Sequence, residues 1–270
     1  MTLALLLGTG VDVIIRVIGT GVPTVQILFL RCALSPLILL PAILWSGWRS
    51  VRPKRPLFHG LRAILFLGAL GGMYWTLPRM PYAAYSTLIQ TEPLFISALA
   101  VLILRERMTW QRIGAALLGF AGVLVVFRPD FAESFGLPAA VALATSLAMG
   151  FVAVLVKRMS ASETPLSNLF WFAIVGAVLG APAALASWQP LELWQSALLG
   201  AIALGATICH GCIFRAFQAA DATVVAPVGY LGLPIGLLTA IVVFGESPPP
   251  SLWLGAVVIL GACVWVARSR

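Results

Sequence analysis

The sequence repeats a set of landmark residues with an offset of about 141 positions. Four pairs occupy matching points of apolar segments and are 140 to 142 residues apart: Pro23 and Pro165, Pro93 and Pro234, Glu106 and Glu246, Gly114 and Gly255. If each copy holds an odd number of membrane spans, the second copy must cross the membrane in the opposite direction. Inverted repeats of this kind are typical of secondary transporters, in which a substrate site lies where the halves meet.

The apolar segments are long enough to be membrane helices. Hydrophobic residues make up 61% of the 270 positions and charged residues 10%, with a mean hydropathy of +1.03. About 20 apolar residues cross the hydrocarbon core as a helix. The sequence therefore predicts an all-α polytopic membrane protein with ten transmembrane helices, at 2–19, 24–46, 59–77, 81–104, 110–127, 135–156, 166–186, 190–211, 219–244 and 252–267. Two inverted five-helix repeats follow, at 1–130 and 131–270.

The basic residues predict the orientation of the chain in the membrane. With a cytoplasmic N-terminus, only Arg79 and Arg128 fall in outside loops. The inside loops then hold Arg49, Arg52, Lys54, Arg55, Arg105, Arg107, Arg112, Lys157, Arg158, Arg215, Arg268 and Arg270. This asymmetry predicts a multi-pass membrane protein with both termini cytoplasmic. Short loops cannot build a basic nucleic-acid surface, so no nucleic-acid partner is expected.

Ionisable side chains inside the spans are candidates for function, because each is costly unless it is paired or faces water. Asp12 and Arg16 lie one helical turn apart and can pair along one face, either as part of a substrate site or as a neutralised pair that joins helices. Arg31, well inside the second span, either binds substrate or anchors that span. Arg62 and Arg215 lie near predicted cytoplasmic ends and are expected to extend to the interface.

Two proline-interrupted spans add further candidates. Pro93 frees a backbone carbonyl beside Gln90 and Glu92, which predicts a polar pocket. Because a low-dielectric cavity disfavours a charged carboxylate, Glu92 is also the candidate for proton coupling. The second interrupted span places Tyr230 between Pro227 and Pro234, where both the phenol and the freed backbone can meet a substrate.

Aromatic side chains complete the predicted substrate site. Trp75, Tyr82 and Tyr230 are predicted to line a cavity, and Tyr74, Tyr85 and Trp171 are weaker members of the same set. Core packing is the alternative for most of them. Glu106 and Glu246 end the interrupted segments, where capping of the following helix is preferred over gating or coupling.

The cysteines do not predict a metal site. Cys209 and Cys212 flank His210, but no second ligand cluster exists, and His59 begins a different span. Neither a metal nor another cofactor is expected.

Several runs of residues resemble the bacterial EamA branch of the drug/metabolite transporter superfamily. The resemblance rests on Arg31, the Pro78–Pro81 hairpin, Thr91-Glu92-Pro93-Leu94-Phe95, Arg105-Glu106-Arg107, Gly114 through Val123, Ala219 through Pro227, Tyr230 and Phe244-Gly245-Glu246. It implies ten helices in two inverted repeats, a central cavity and alternating access. It also implies a small-molecule substrate, such as an amino acid or derivative, S-adenosylmethionine or a riboflavin-like compound.

The expected mechanism combines the repeat with the interrupted spans. Spans three, four, eight and nine are expected to rock and so expose a midplane cavity to each side of the membrane in turn. Contacts to the substrate or coupling ion are expected from Asp12, Arg31, Glu92 and Tyr230. The sequence leaves open a passive channel or facilitator, although its charges occur singly rather than in rings. For an intramembrane enzyme, the sequence shows no set of catalytic residues at a suitable spacing. The lipid bilayer is the expected environment, and small-residue faces on spans five and ten allow a homodimer without requiring one.

Overall fold

The computed structural model describes residues 1–105 and 129–247, with positions 110, 113–114, 117–118, 121, 250, 253–254, 257–258 and 261; of residues 129–135, 223 and 227 it describes the backbone alone. In this part of the chain the regular structure is helical, without strands. The α-helices are α1 (Thr2–Ile18), α2 (Thr24–Ser46), α3 (Pro56–Thr76), α4 (Tyr82–Ile89), α5 (Glu92–Leu99), α6 (Pro129–Ser160), α7 (Pro165–Ala186), α8 (Leu193–Ala219), α9 (Ala222–Gly229) and α10 (Gly232–Val242).

Six helical segments of the described residues are long and apolar enough to cross a membrane: Thr24–Ser46, Pro56–Arg79, Tyr82–Leu104, Gly136–Ser160, Pro165–Ala186 and Leu193–Ala219. The predicted all-helical membrane class is confirmed at this level. Of the other four predicted spans, the first corresponds to the 17-residue α1, and the ninth is divided between α9 and α10. The fifth and tenth lie largely outside the described residues.

Glycine sets the start of the span in α6. The segment Pro129–Ser160 consists of two helices joined at Gly136, whose φ of 42° and ψ of −122° are not helical. A side chain would strain this backbone, whereas glycine adopts it at little cost. The membrane-spanning part therefore begins at Gly136.

Both proline-interrupted spans are broken in the same way. Helix α4 ends at Ile89 and α5 begins at Glu92, while α9 ends at Gly229 and α10 begins at Gly232. Pro93 and Pro234 each lie in the first turn of the second helix, where a missing N–H removes no intrahelical bond. The backbone of Pro227 lies within α9, but its side chain and the whole of Glu106 lie outside the described residues.

The helices before residue 105 pack against those after residue 129. Helix α1 packs against α8, α2 against α7, and α3 against α6. The broken spans meet each other, because α4 packs against α10 and α5 against α9. Glycine allows one of these close approaches, between α10 and α4: a Cβ at Gly236 would lie 2.6 Å from the Cβ of Ser86.

Candidate functional site

A cavity of about 240 Å³ lies among α1, α3, α4, the start of α5, α6, α7, α8 and α10, so both halves of the chain line it. Its volume approaches the lower end of the range for small-molecule sites, about 300 Å³. Aromatic lining comes from Phe66, Tyr74, Tyr82, Tyr85, Phe214 and Phe217. Polar lining comes from Thr9, Asp12, Arg62, Ser86, Gln90, Glu92, Asn168 and His210. An apolar pocket with a few convergent polar groups is the usual form of a metabolite site.

Two carboxylic acids face this cavity. Asp12 lies on α1, and its Oδ1 is buried without a hydrogen-bond partner in the described part of the chain. Glu92 is the first residue of α5, where the positive end of the helix dipole favours negative charge. The break between α4 and α5 thus places one of the two acids at a helix start.

Arg62 is the basic residue of the lining. It lies on α3, is 4% exposed, and donates from Nη2 to the backbone oxygen of Asn168 at 2.8 Å. Its Nε is buried and finds no acceptor among the described residues. The rings of Phe66 and Phe172 lie 5.8 and 5.4 Å from its Cζ. The sequence had predicted that this arginine extends to the membrane–water interface.

Arg62 was predicted to lie at the interface because the start of its helix was placed too late in the sequence. The predicted span began at residue 59, whereas α3 begins at Pro56. Arg62 therefore lies about 9 Å along the helix from its start. Its partner Asn168 and the cavity-lining His210 were also not selected, because isolated polar residues in an apolar run carry no spacing signal.

Four of the seven predicted substrate-binding residues line the cavity: Asp12, Tyr82, Gln90 and Glu92. Arg31 lies behind the lining, is 3% exposed, and places Nη2 3.2 Å from Nδ1 of His210. Trp75 lines a separate groove with Leu137 and Val141. Tyr230 is 1% exposed in the break between α9 and α10 and is not part of the lining.

Gln90 joins the two broken spans. In the amide orientation that satisfies both neighbours, its side chain donates to the Gly229 carbonyl at 3.1 Å and accepts from the Leu233 amide at 2.7 Å. These two groups flank the break between α9 and α10. One side chain from the first break therefore bridges backbone groups on both sides of the second, which holds the two breaks together.

Arg16 does not pair with Asp12, which corrects one sequence-based expectation. Its Nη2 lies 2.7 Å from Oε1 of Glu246, and its Nη1 donates to the Met80 carbonyl at 3.0 Å. The Phe244 ring lies 4.6 Å from its Cζ. The partner of Arg16 is therefore the carboxylate after α10, distant in the sequence, and not the neighbouring Asp12.

Glu246 caps a helix, but not the one that follows it. Its Oε1 accepts from the Tyr82 amide at 2.8 Å and its Oε2 from the Ala83 amide at 2.9 Å. These amides open α4, which lies far away in the sequence. The predicted capping chemistry is present at an unpredicted helix, because sequence spacing identifies only neighbouring helix starts.

The described residues contain no group of three or more histidine, cysteine, aspartate or glutamate side chains that could hold a metal ion. Cys209 lies beside His210, but its Sγ donates to the Ala4 carbonyl at 3.2 Å.

Comparison with known proteins identifies the family. The model of the EamA-like transporter family matches residues 1–128 and 136–268. The chain belongs to the EamA-like transporter family. This confirms the sequence-based resemblance and the prediction of a transporter. One solved crystal structure has the same fold as this chain. The TM-score is 0.77 at 19% sequence identity, and the match covers 99% of this chain and 94% of the other.

Two relatives of this EamA-like chain are named for different substrates. It is 30% identical to the S-adenosylmethionine uptake transporter of Rickettsia bellii (strain RML369-C), over 99% of this chain and 92% of the relative. It is 27% identical to the riboflavin transporter of Vibrio cholerae serotype O1 (strain ATCC 39315 / El Tor Inaba N16961), over 92% of this chain and 84% of the relative.

Proposed function

We propose that this EamA-like protein is a secondary transporter that moves a small polar or zwitterionic metabolite across the bacterial inner membrane by alternating access. The observation that carries the proposal is the cavity lined by both halves of the chain, with carboxylic acids at Asp12 and Glu92 and a guanidinium at Arg62. A cavity between two sets of helices can be exposed to each side in turn when the sets rock.

The proposed architecture is ten helices in two inverted repeats, at 1–130 and 131–270. Two observations support it. The family model matches the chain twice, at 1–128 and 136–268. The cross-half packing is reciprocal, because α1 meets α8, α2 meets α7 and α3 meets α6. A two-fold axis in the membrane plane relates first-to-third and second-to-second helices in this manner.

The proposed orientation places both termini in the cytoplasm. The basic loop that contains Lys54 and Arg55 precedes α3, and few basic residues follow the other end of that helix. This asymmetry supports the assignment through the positive-inside rule. A homodimer through spans five and ten stays a prediction, since those spans lie largely outside the described residues.

S-adenosylmethionine is the first substrate to test. It carries a sulfonium, an ammonium and a carboxylate, and the cavity offers groups of both signs together with aromatic faces. The name of the Rickettsia bellii relative supports the same choice. Amino acids and riboflavin form the comparison set.

The Arg16–Glu246 pair is the proposed closure of the cavity at one end. Cavity-lining residues of α1 run from Met1 to Asp12, and Arg16 lies one turn further along. There it joins α1, α4 and the segment after α10. Opening toward that side requires these contacts to break.

Glu92 is the proposed coupling residue, because it faces the cavity at the start of α5. We expect Glu92→Gln to abolish the dependence of uptake on an imposed proton gradient, since the amide cannot exchange a proton. Uptake should be followed in proteoliposomes with and without the gradient. Unchanged uptake with an unchanged pH dependence would exclude this role.

Counterflow of labelled S-adenosylmethionine in proteoliposomes tests the transporter itself. Preloaded unlabelled substrate should accelerate entry of label, and the rate should saturate with concentration. A channel shows neither property. Protein-free vesicles and vesicles with Asp12→Asn serve as controls. If neither S-adenosylmethionine nor the amino acids nor riboflavin show counterflow, the proposed function is wrong.

A further inference from the structure

Arg62 is a buried guanidinium whose charge no carboxylate offsets at ion-pair distance within the described residues. The ion pairs in that part of the chain are Arg16–Glu246 and Lys157–Asp221, and the nearby Glu163 lies beside the His59 imidazole. A charge removed from water is costly unless it is paired. The neighbouring aromatic rings stabilise a cation but accept no hydrogen bond in the guanidinium plane.

Asn168 supplies a second unsatisfied group beside Arg62. Its backbone oxygen already accepts from Arg62 Nη2 at 2.8 Å, which holds the two residues together. Its side-chain Oδ1 is buried without a donor in the described part of the chain. The residue is 3% exposed and lines the cavity. The unsatisfied Nε donor of Arg62 and the unsatisfied Oδ1 acceptor of Asn168 therefore belong to two residues that are in contact and both line the cavity.

This pair is complementary to the head group of an α-amino acid. A carboxylate accepts hydrogen bonds from a guanidinium, and an ammonium donates to an amide oxygen. In an α-amino acid these two groups are attached to one carbon, so they fit neighbouring partners. Binding would satisfy both polar groups of the protein and supply the missing counter-charge.

The opposite end of the cavity has a different character. On α3, Arg62 and Tyr74 both line the cavity and are about 18 Å apart along the axis. Tyr82 and Tyr85 open α4 at the Tyr74 end. Asp12 lies one turn before Arg16, which contacts Met80 just ahead of α4. The acid and the tyrosines are therefore remote from Arg62.

We infer that Arg62 and Asn168 form a subsite for the carboxylate and ammonium of a free α-amino-acid head group, and that the Asp12 end holds the rest of the substrate. The inference rests on the proposed function and narrows it. S-adenosylmethionine has such a head group, whereas riboflavin does not.

The test compares ligands that retain, lose part of, or entirely lack the α-amino-acid head group. Equilibrium binding to the purified full-length protein should be measured for S-adenosylmethionine, its decarboxylated analogue and 5′-methylthioadenosine, and for free amino acids beside their amides. In the unaltered protein we expect removal of the carboxylate to weaken binding by about tenfold or more, the loss of a charge-assisted contact. Riboflavin should not compete.

Arg62→Met should remove the preference for ligands that carry the carboxylate over those that lack it. Its affinity for S-adenosylmethionine should fall to that for the decarboxylated analogue, while its affinity for 5′-methylthioadenosine stays unchanged. Asn168→Ala should weaken only the ligands that carry the ammonium. Arg215→Met, an exposed arginine of α8, is the matched control and should keep every ratio. Thermal unfolding of each variant in detergent separates loss of the site from loss of folding.

Three results would overturn the inference. The first is equal binding of carboxylated and decarboxylated ligands, or binding of riboflavin alone. The second is a ratio that falls in Arg31→Met but survives in Arg62→Met, which would assign the carboxylate to the other arginine. The third is failure of every probe with an α-amino-acid head group to bind. Counterflow of any tested metabolite in these cases would leave the proposed transport function intact.

Discussion

Two carboxylates each accept from a pair of backbone amides, one pair before α3 and one after it, but in different surroundings. Before the helix, Glu163 Oε1 accepts from the backbone amides of Lys54 and Arg55 at 2.8 and 2.9 Å. After it, Glu246 accepts from the amides of Tyr82 and Ala83 at 2.8 and 2.9 Å. A 21-residue helix between them is about 31 Å long, so the two sites lie near its opposite ends.

The two carboxylates differ in exposure and in their third partner. The Glu163 side chain is 1% exposed, with His59 Nε2 at 3.4 Å and the Ser167 hydroxyl donating to Oε2 at 3.3 Å. The Glu246 side chain is 18% exposed, and its third partner is Arg16. Partly exposed ions can regain water when they separate, whereas a buried carboxylate cannot. We therefore expect the Glu163 site to be a fixed joint and the Glu246 site to open.

Loss of Glu163 should have the largest effect on stability. We expect Glu163→Ala to lower the free energy of unfolding by about 3 kcal/mol, because two backbone amides lose a charged acceptor and a void remains. Unfolding in mixed detergent and SDS micelles measures this change.

Glu163→Gln is the matched control for this prediction. Both backbone amides bind the same oxygen, Oε1, which glutamine retains. Only the bond from Ser167 to Oε2 is lost, so we expect a cost below about 1 kcal/mol. Equal losses for alanine and glutamine would contradict the idea that these two amide bonds fix the joint.

At the other end, Glu246→Gln should release the contact rather than unfold the protein. Here the two backbone amides bind different oxygens, so the amide group of glutamine would meet the Ala83 amide donor to donor. We expect hydrogen exchange of the Tyr82 and Ala83 amides to rise about tenfold, equivalent to about 1.4 kcal/mol. Exchange at Lys54 and Arg55 should not change.

Arg16→Met provides the control at this site. It removes the ion pair but leaves both backbone bonds to Glu246, so the rise in exchange should be smaller than in Glu246→Gln. A variant that accelerates exchange equally at both ends of α3 would show a general loss of stability and would argue against a local opening.

The sequence predicted the helices better than the contacts between them. Hydropathy and basic residues were sufficient for the membrane class, because a span needs only about 20 apolar residues. Pro93 and Pro234 also marked the two breaks, since proline disfavours a helix interior but suits a first turn. These are local properties of the chain.

Partners distant in sequence were the main source of error. Arg16 was predicted to pair with Asp12, one turn away, but it pairs with Glu246. Glu163 was not selected at all, because nothing near it in the sequence indicates that it accepts from the two amides before α3. Arg62 was placed at the interface because the start of its helix was predicted three residues late. Long-range packing decides which polar groups meet, and one sequence contains no direct record of it.

A third carboxylate extends the comparison to an exposed site, where the smallest effect is expected. Asp221 Oδ1 lies 3.8 Å from Lys157 Nζ, and its side chain is 61% exposed. Lys157 also donates to the carbonyls of Phe217 and Ala220 at the end of α8, at 2.9 and 2.7 Å. We expect Asp221→Asn to change the free energy of unfolding by less than about 0.5 kcal/mol, because solvent screens the pair. Lys157→Met should cost more, since two carbonyls lose their donor. If Asp221→Asn instead lowered the free energy of unfolding in SDS as much as Glu163→Ala, the burial of the carboxylate would not explain why the sites at the two ends of α3 differ.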